Sequence, residues 1–195
     1  MSVWLVVGLG NPGPTYASHR HNVGFLVAEE LARRIGGKFS AAKGMRADVA
    51  EGRLGSPGTD GDRLVLAKSR TFMNESGASV AKLLAYYKLP PRQLVVIHDE
   101  LDIDPGQLRV KLGGGDNGHN GLRSIRQSLG GNGDYYRVRF GVGRPPGRQD
   151  PADFVLSSFP AGQREELTLE VGRAADAVES LVEVGLERTQ SRFNS

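Results

Sequence analysis

Short apolar runs of strand length alternate along this chain with stretches whose apolar residues recur at helical spacing, and few architectures accept that order. The runs fall at 3–8, 47–54, 64–69, 94–98, 106–112 and 137–142. Between them lie helical stretches at 23–35, 75–88, 119–129 and 163–186. Val80, Leu83, Leu84 and Tyr87 form the buried stripe of the second, and Leu167, Val171, Ala174, Val178 and Leu181 that of the last. Strands mixed with helices throughout predict an α/β/α sandwich, a central mixed, mostly parallel sheet flanked by helices. The 195 residues suffice for one such domain over 1–195, with 188–195 a polar tail. Asn74 reads as the N-cap of the second helix, and 56–62 as an exposed turn between two hairpin strands.

The first run leads into Gly8-Leu9-Gly10-Asn11-Pro12-Gly13, a literal G-x-G-x-x-G after a strand. In a dinucleotide-binding turn the last glycine opens a helix, and an acid follows about 20 residues on at a second strand. Here residues 14–22 show no apolar stripe, and Glu29 and Glu30 lie inside the helical stretch instead. The segment reads better as a strand followed by a long irregular loop carrying Asn11, Tyr16, His19 and His21. Loops on a rigid scaffold are where binding and catalytic residues collect.

The absence of cysteine excludes disulfides, thiolate metal sites and a cysteine nucleophile, and fits a reducing compartment. No stretch approaches the ~20 apolar residues that span a bilayer, and the N-terminus lacks a basic start and cleavage site. A soluble cytoplasmic protein is expected. Charge is uneven: residues 105–150 carry eight Arg or Lys against three Asp, a balance of +5 in a chain of +3, and the last helical stretch is acidic. A basic face for a polyanion and an ordinary solvated surface both fit that distribution.

Polar residues of catalytic type gather after four strands: Asn11, Tyr16, His19 and His21; Thr71 to Asn74; His98 to Asp104; and the glycine-rich 113–121 with His119 and Asn120. Ligands of open α/β sheets bind at such carboxyl ends. A histidine titrates where proton transfer near neutrality needs it, and Asp99 could fix its tautomer. With no G-x-S-x-G elbow, a His–Asp pair most simply activates water. Asn11, Asn74 and Asn120 can grip an amide, orient water or donate to an oxyanion. Each has a plainer reading as cap or turn residue, and Phe72 and Met73 as core. The acids at 99, 100, 102 and 104 invite a metal, yet alternate residues of a strand point apart and no ligand-spacing motif supports it. The glycines of 113–121 suit a phosphate nest or a flexible turn, with Lys111 and Arg139 nearby favouring phosphate.

The blocks "VVGLGNPGPTYASHRHNVGF", "SRTFMNESG", "HDELDIDPGQLRVKLGGGDNGHNGLRSI" and "YYRVRFGVGRP" resemble, in order, the signature segments of bacterial peptidyl-tRNA hydrolases. The resemblance implies a monomeric, metal-independent cytoplasmic esterase without cofactor. Its substrate would be peptidyl-tRNA, held by acceptor arm and peptide, and its role the recycling of tRNA from aborted translation. His21 then resembles the catalytic histidine and Asp99 its partner, while Asn11, Asn74 and Asn120 match the asparagines holding peptide, water and carbonyl. Tyr16, Phe72, Met73 and His119 match pocket-lining positions, and Lys111 and Arg139 tRNA-phosphate contacts. His19 matches no catalytic position, and Asp116-Asn117 lies where the family's glycine-rich loop varies. The alternatives are a non-catalytic tRNA- or RNA-binding α/β domain and a metal-dependent esterase.

Overall fold

A computed structural model describes residues 2–55 and 60–194; residues 56–59 of the expected hairpin turn lie outside them. Seven strands form one sheet: β1 Val3–Gly8, β2 Ser40–Ala42, β3 Ala47–Arg53, β4 Arg63–Ser69, β5 Leu94–Glu100, β6 Leu108–Leu112 and β7 Tyr136–Gly141. Their order is β2-β3-β4-β1-β5-β7-β6. β4, β1, β5 and β7 are parallel neighbours, and β2-β3, β3-β4 and β6-β7 pair antiparallel. Five of the seven strands therefore point one way, so the sheet is mixed and mostly parallel as expected.

Among the described residues six α-helices accompany it: α1 Val23–Ile35, α2 Ser76–Tyr87, α3 Asn120–Ser128, α4 Pro151–Val155, α5 Arg164–Val184 and α6 Leu186–Phe193. On one face α1 and α5 bury Val27, Leu31, Val171 and Val178 against Val6, Val95 and Val138. On the other, α2 and α3 bury Val80, Leu83, Leu122 and Ile125 against Leu5, Val65 and Val96. The alternation of side chains along each strand supplies both apolar faces at once.

Three elements were not legible as such. β2 is too short to show a period. α4 carries an Asp-Pro start, with Asp150 Oδ1 accepting from the Ala152 N–H at 2.9 Å and Pro151 at the first helical position. The polar tail expected from 188 folds instead as most of α6, because Phe193 and Thr189 give it a buried side and Asn194 pairs with Val110 of β6. Asn74 is not the cap of α2. It sits in a 3-10 turn, Met73–Glu75, whose first N–H is taken by Asn11 Oδ1 at 2.7 Å, and α2 begins only at Ser76 without a side-chain cap.

Gly8 at the end of β1 and Gly24 in α1 serve close packing. A Cβ on Gly24 would lie 2.5 Å from the Ile97 carbonyl oxygen and 2.5 Å from the Leu9 nitrogen, and one on Gly8 2.1 Å from the Gly24 carbonyl oxygen. The first turn of α1 therefore rests on bare backbone at the ends of β1 and β5. Gly24→Ala should cost on the order of 1–3 kcal/mol of stability by forcing α1 outward, and lower turnover with it. Urea unfolding and a rate assay check this, and wild-type values in both would contradict the tight contact.

Candidate active site

The close seat of α1 places the turn before it, Arg20–Asn22, over the carboxyl end of β5. β5 continues two residues beyond its expected end at His98, through Asp99 and Glu100, and all three are buried. His21 Nδ1 lies 2.9 Å from both Asp99 oxygens. The same carboxylate lies 2.9 Å from Nε2 of His119, at the start of α3. His119 Nδ1 accepts from the Gly121 and Leu122 N–H groups at 3.1 and 3.4 Å, so it carries no proton there and Nε2–H donates to Asp99. Asp99 thus receives two imidazole N–H bonds and has one reason to stay ionised on each side. Burial alone would raise its pKa, but His21 and then His119 outweigh burial and hold it well below the usual carboxylate range.

With Nδ1–H of His21 bound to Asp99, Nε2 is the ring atom left with a free lone pair, and no described residue bonds it. It faces a cleft of about 330 Å³ lined by Asn11, Met73, Asn74, Asp99, His119 and Asn120, and by the less polar Pro151, Ala152, Val155 and Leu156. Asn11 is itself held: Asn22 accepts from its backbone N–H at 2.9 Å and donates to its carbonyl at 2.8 Å. Because Asn11 Oδ1 takes the Met73 N–H, its amide nitrogen is the group that can donate to a substrate. Asn22 was missed in the sequence. It follows His21 directly, and a buried amide within a motif is the signal that could have found it.

The structure thus brings seven of the expected site residues to one cleft: Asn11, His21, Met73, Asn74, Asp99, His119 and Asn120. Tyr16 and Phe72 are not part of its lining. Their rings pair edge-on at 6.1 Å, and Phe72 is 53% exposed, outside the core that the plainer reading gave it. His19 meets the Tyr16 ring edge-on, its backbone bridges to Ser158, and it makes no bond to Asp99.

Lys111 and Arg139 lie on β6 and β7 beside the cleft rather than in its wall. Arg139 is tied to Glu100, a cleft residue, at 3.0 Å. Burial, then Arg139 and Arg137, lower the pKa of Lys111, the mark of a crowded cationic patch. Arg137 leaves that patch: its side chain is buried and donates to the carbonyls of Gly114, Gly115 and Gly133. Loop 113–115 thus turns carbonyls onto an internal arginine and is not built as a phosphate nest. The acids do not converge on a metal either. Glu100 pairs with Arg139, and Asp102 with Arg144 and Asn117. His21, Asp99 and His119 offer atoms within 4.8 Å of one another, a spacing that could hold a cation. However, the proton on His119 Nε2 occupies the lone pair a metal would need.

A His–Asp pair with its outer nitrogen open, amide donors around it, cations beside it, and no serine, threonine or cysteine in the lining is an arrangement that suits a hydrolase. The sequence profile of the family described as "Peptidyl-tRNA hydrolase" matches residues 5–195. A peptidyl-tRNA hydrolase of Streptomyces coelicolor is 61% identical, covering 98% of this chain and 95% of the relative. One of Cutibacterium acnes is 56% identical, with 98% of both covered. The crystal structure of peptidyl-tRNA hydrolase from Acinetobacter baumannii superposes with a TM-score of 0.88 at 33% identity, covering 99% of this chain and 95% of that one. The chain belongs to the peptidyl-tRNA hydrolase family, and its reaction is hydrolysis of peptidyl-tRNA.

One buried histidine lies outside this chemistry. His98 donates from Nδ1 to the Asp99 carbonyl at 2.8 Å, while its Nε2 is buried without a partner. Burial, then the neighbouring His119, push its pKa from 6.5 down to about 3. The unfolded chain therefore binds a proton there that the folded one refuses. Its contribution to stability should be complete above pH 6.5 and decline as pH falls towards about 3. Urea unfolding across that window should show the decline in wild type and a shallower one in His98→Phe; equal slopes would contradict it.

Proposed function

We propose that this cleft cleaves the ester between a peptide and the terminal ribose of tRNA by a water that His21 deprotonates. The observation that supports it is the 2.9 Å pairing of His21 Nδ1 with Asp99, which leaves Nε2 open beside Asn11, Asn74 and Asn120. Water bound at Nε2 gives up its proton as its oxygen attacks the ester carbonyl, and the imidazolium formed is stabilised by the ionised Asp99. General-base help of this kind is typically worth ~10²–10⁴-fold. The carbonyl oxygen becomes an oxyanion that the Asn11 amide, or that of Asn74, can receive; loss of one such donor costs about 10²–10³ in rate. Collapse of the tetrahedral intermediate releases the ribose oxygen, which takes the proton held by His21. No covalent enzyme intermediate is formed.

Asn120 and its companions suit the amide of a peptidyl group better than the ammonium of an aminoacyl group, whose charge would leave them mismatched. Tyr16 and Phe72, whose rings pair with each other, would offer a stacking surface to a base or peptide side chain. Lys111 and Arg139 would hold phosphates of the acceptor arm, so binding should weaken steeply with salt. The role in recycling tRNA, cytoplasmic residence and action as a monomer belong to this reading. So does independence of metal, favoured by the protonated His119 nitrogen.

The test is release of tRNA from N-acetylaminoacyl-tRNA with EDTA present. Wild type should turn over and His21→Ala should lose at least ~10²-fold with substrate binding kept. Near-normal turnover by the variant would remove His21 as base, and loss of wild-type activity on chelation would restore the metal reading. Lys111→Ala and Arg139→Ala should raise KM for full tRNA substrates by about 5- to 30-fold, as loss of one or two kcal/mol of contact does. An equal loss on a short nucleotide ester would sink the phosphate role.

A further inference from the structure

Arg20 precedes His21 and has no carboxylate partner among the described residues. Its Nη1 donates to the Ser157 carbonyl at 3.3 Å, the Ser157 hydroxyl at 2.7 Å and the Ser158 carbonyl at 2.9 Å. Its guanidinium carbon lies 4.0 Å from the centre of the Phe154 ring and 5.6 Å from that of Phe159. Every side-chain partner of this cation therefore belongs to residues 154–159, which include the end of α4 and the turn after it. Backbone bonds run alongside, from Arg20 N–H to the Ser157 carbonyl and from Phe159 N–H to the Ser18 carbonyl.

A helix of five residues cannot hold itself, so the place of α4 depends on what it is tied to. Its Phe154 ring and the turn after it are tied to Arg20, while its Ala152 and Val155 line the cleft, as does Leu156 beyond it. The same three-residue turn therefore carries the proposed base and anchors the apolar part of the cleft lining. A cation held by carbonyls, a hydroxyl and two rings costs desolvation that a surface arginine avoids, and the return here is a fixed distance between wall and base.

We propose that Arg20 is a positioning residue that holds α4 against the His21 turn and thereby sets how tightly the cleft fits the substrate's acyl side chain beside the ester. This rests on the hydrolase reading above. Because the wall is apolar, the arginine should matter most for acyl groups that carry an apolar side chain and least for those that carry none.

The experiment compares N-acetyl-leucyl and N-acetyl-glycyl esters, on full tRNA and on a short nucleotide, for wild type, Arg20→Gln, Arg20→Lys and Phe154→Leu. In Arg20→Gln the leucyl-over-glycyl preference in kcat/KM should shrink by about tenfold, mostly through KM and equally on both carriers. Arg20→Lys should recover part of it, and Phe154→Leu, which leaves the charge in place, should shift the preference the same way. Backbone amides of α4 should exchange faster in Arg20→Gln at a melting temperature near that of wild type. An unchanged leucyl-to-glycyl ratio, or a loss confined to full tRNA, would overturn the proposal. Failure of wild type to cleave any of the esters would instead count against the hydrolase reading itself.

Discussion

The site depends on one buried carboxylate shared by two imidazoles. Asp99 lies near the end of β5, out of water, where an ionised acid is unfavourable unless its oxygens are bonded. His21 and His119 supply those bonds, and each pays a different debt. His119 is locked because its other nitrogen caps α3, so it serves as a fixed donor that keeps Asp99 ionised. His21 has no such second partner, and its outer nitrogen is therefore the one free to accept a proton. Two histidines of equal intrinsic chemistry are made unlike by what their second nitrogens touch.

The fold serves this arrangement through contacts of unusual closeness. Bare backbone at Gly8 and Gly24 lets α1 settle on the ends of β1 and β5, bringing the His21 turn onto Asp99. Gly121 is equally tight, since a Cβ there would meet Met73 Sδ at 2.7 Å and Leu9 Cδ1 at 2.8 Å. Asn22 then fixes the Asn11 loop, and Asn11 fixes Met73. Four segments distant in sequence are thereby locked to one another by buried amides and glycines, so the cleft has few independent parts.

Much of this was legible in the sequence because periodicity reports which side of an element is buried. All six expected strands lie within two residues of those observed, and β5 runs past its expected end at His98 through Asp99-Glu100, where polar residues hide a buried strand end. The stripe read in 163–186 is the buried side of α5. The convergence of His21, Asp99 and the asparagines was inferred from strand ends and from resemblance, and the structure places them together. Contacts made only in three dimensions were not legible. Arg137 counted as surface charge until its guanidinium was found inside a glycine loop, and His119 passed for a pocket residue because sequence does not show which ring nitrogen is occupied. Arg20 and Asn22 were hidden by standing beside the more conspicuous His21. α6 was hidden by its polarity, since two buried residues in eight carry its docking.

The most direct test of the account is the tautomer of His21, read from the NMR shifts of its ring nitrogens in the folded protein at mildly alkaline pH. The account predicts a proton on Nδ1 and none on Nε2, with the opposite tautomer at His119, and loss of the His21 preference in Asp99→Asn. A proton on Nε2 of His21 in the wild-type protein would mean that the nitrogen facing the cleft cannot accept one from water, and the proposed mechanism would fall.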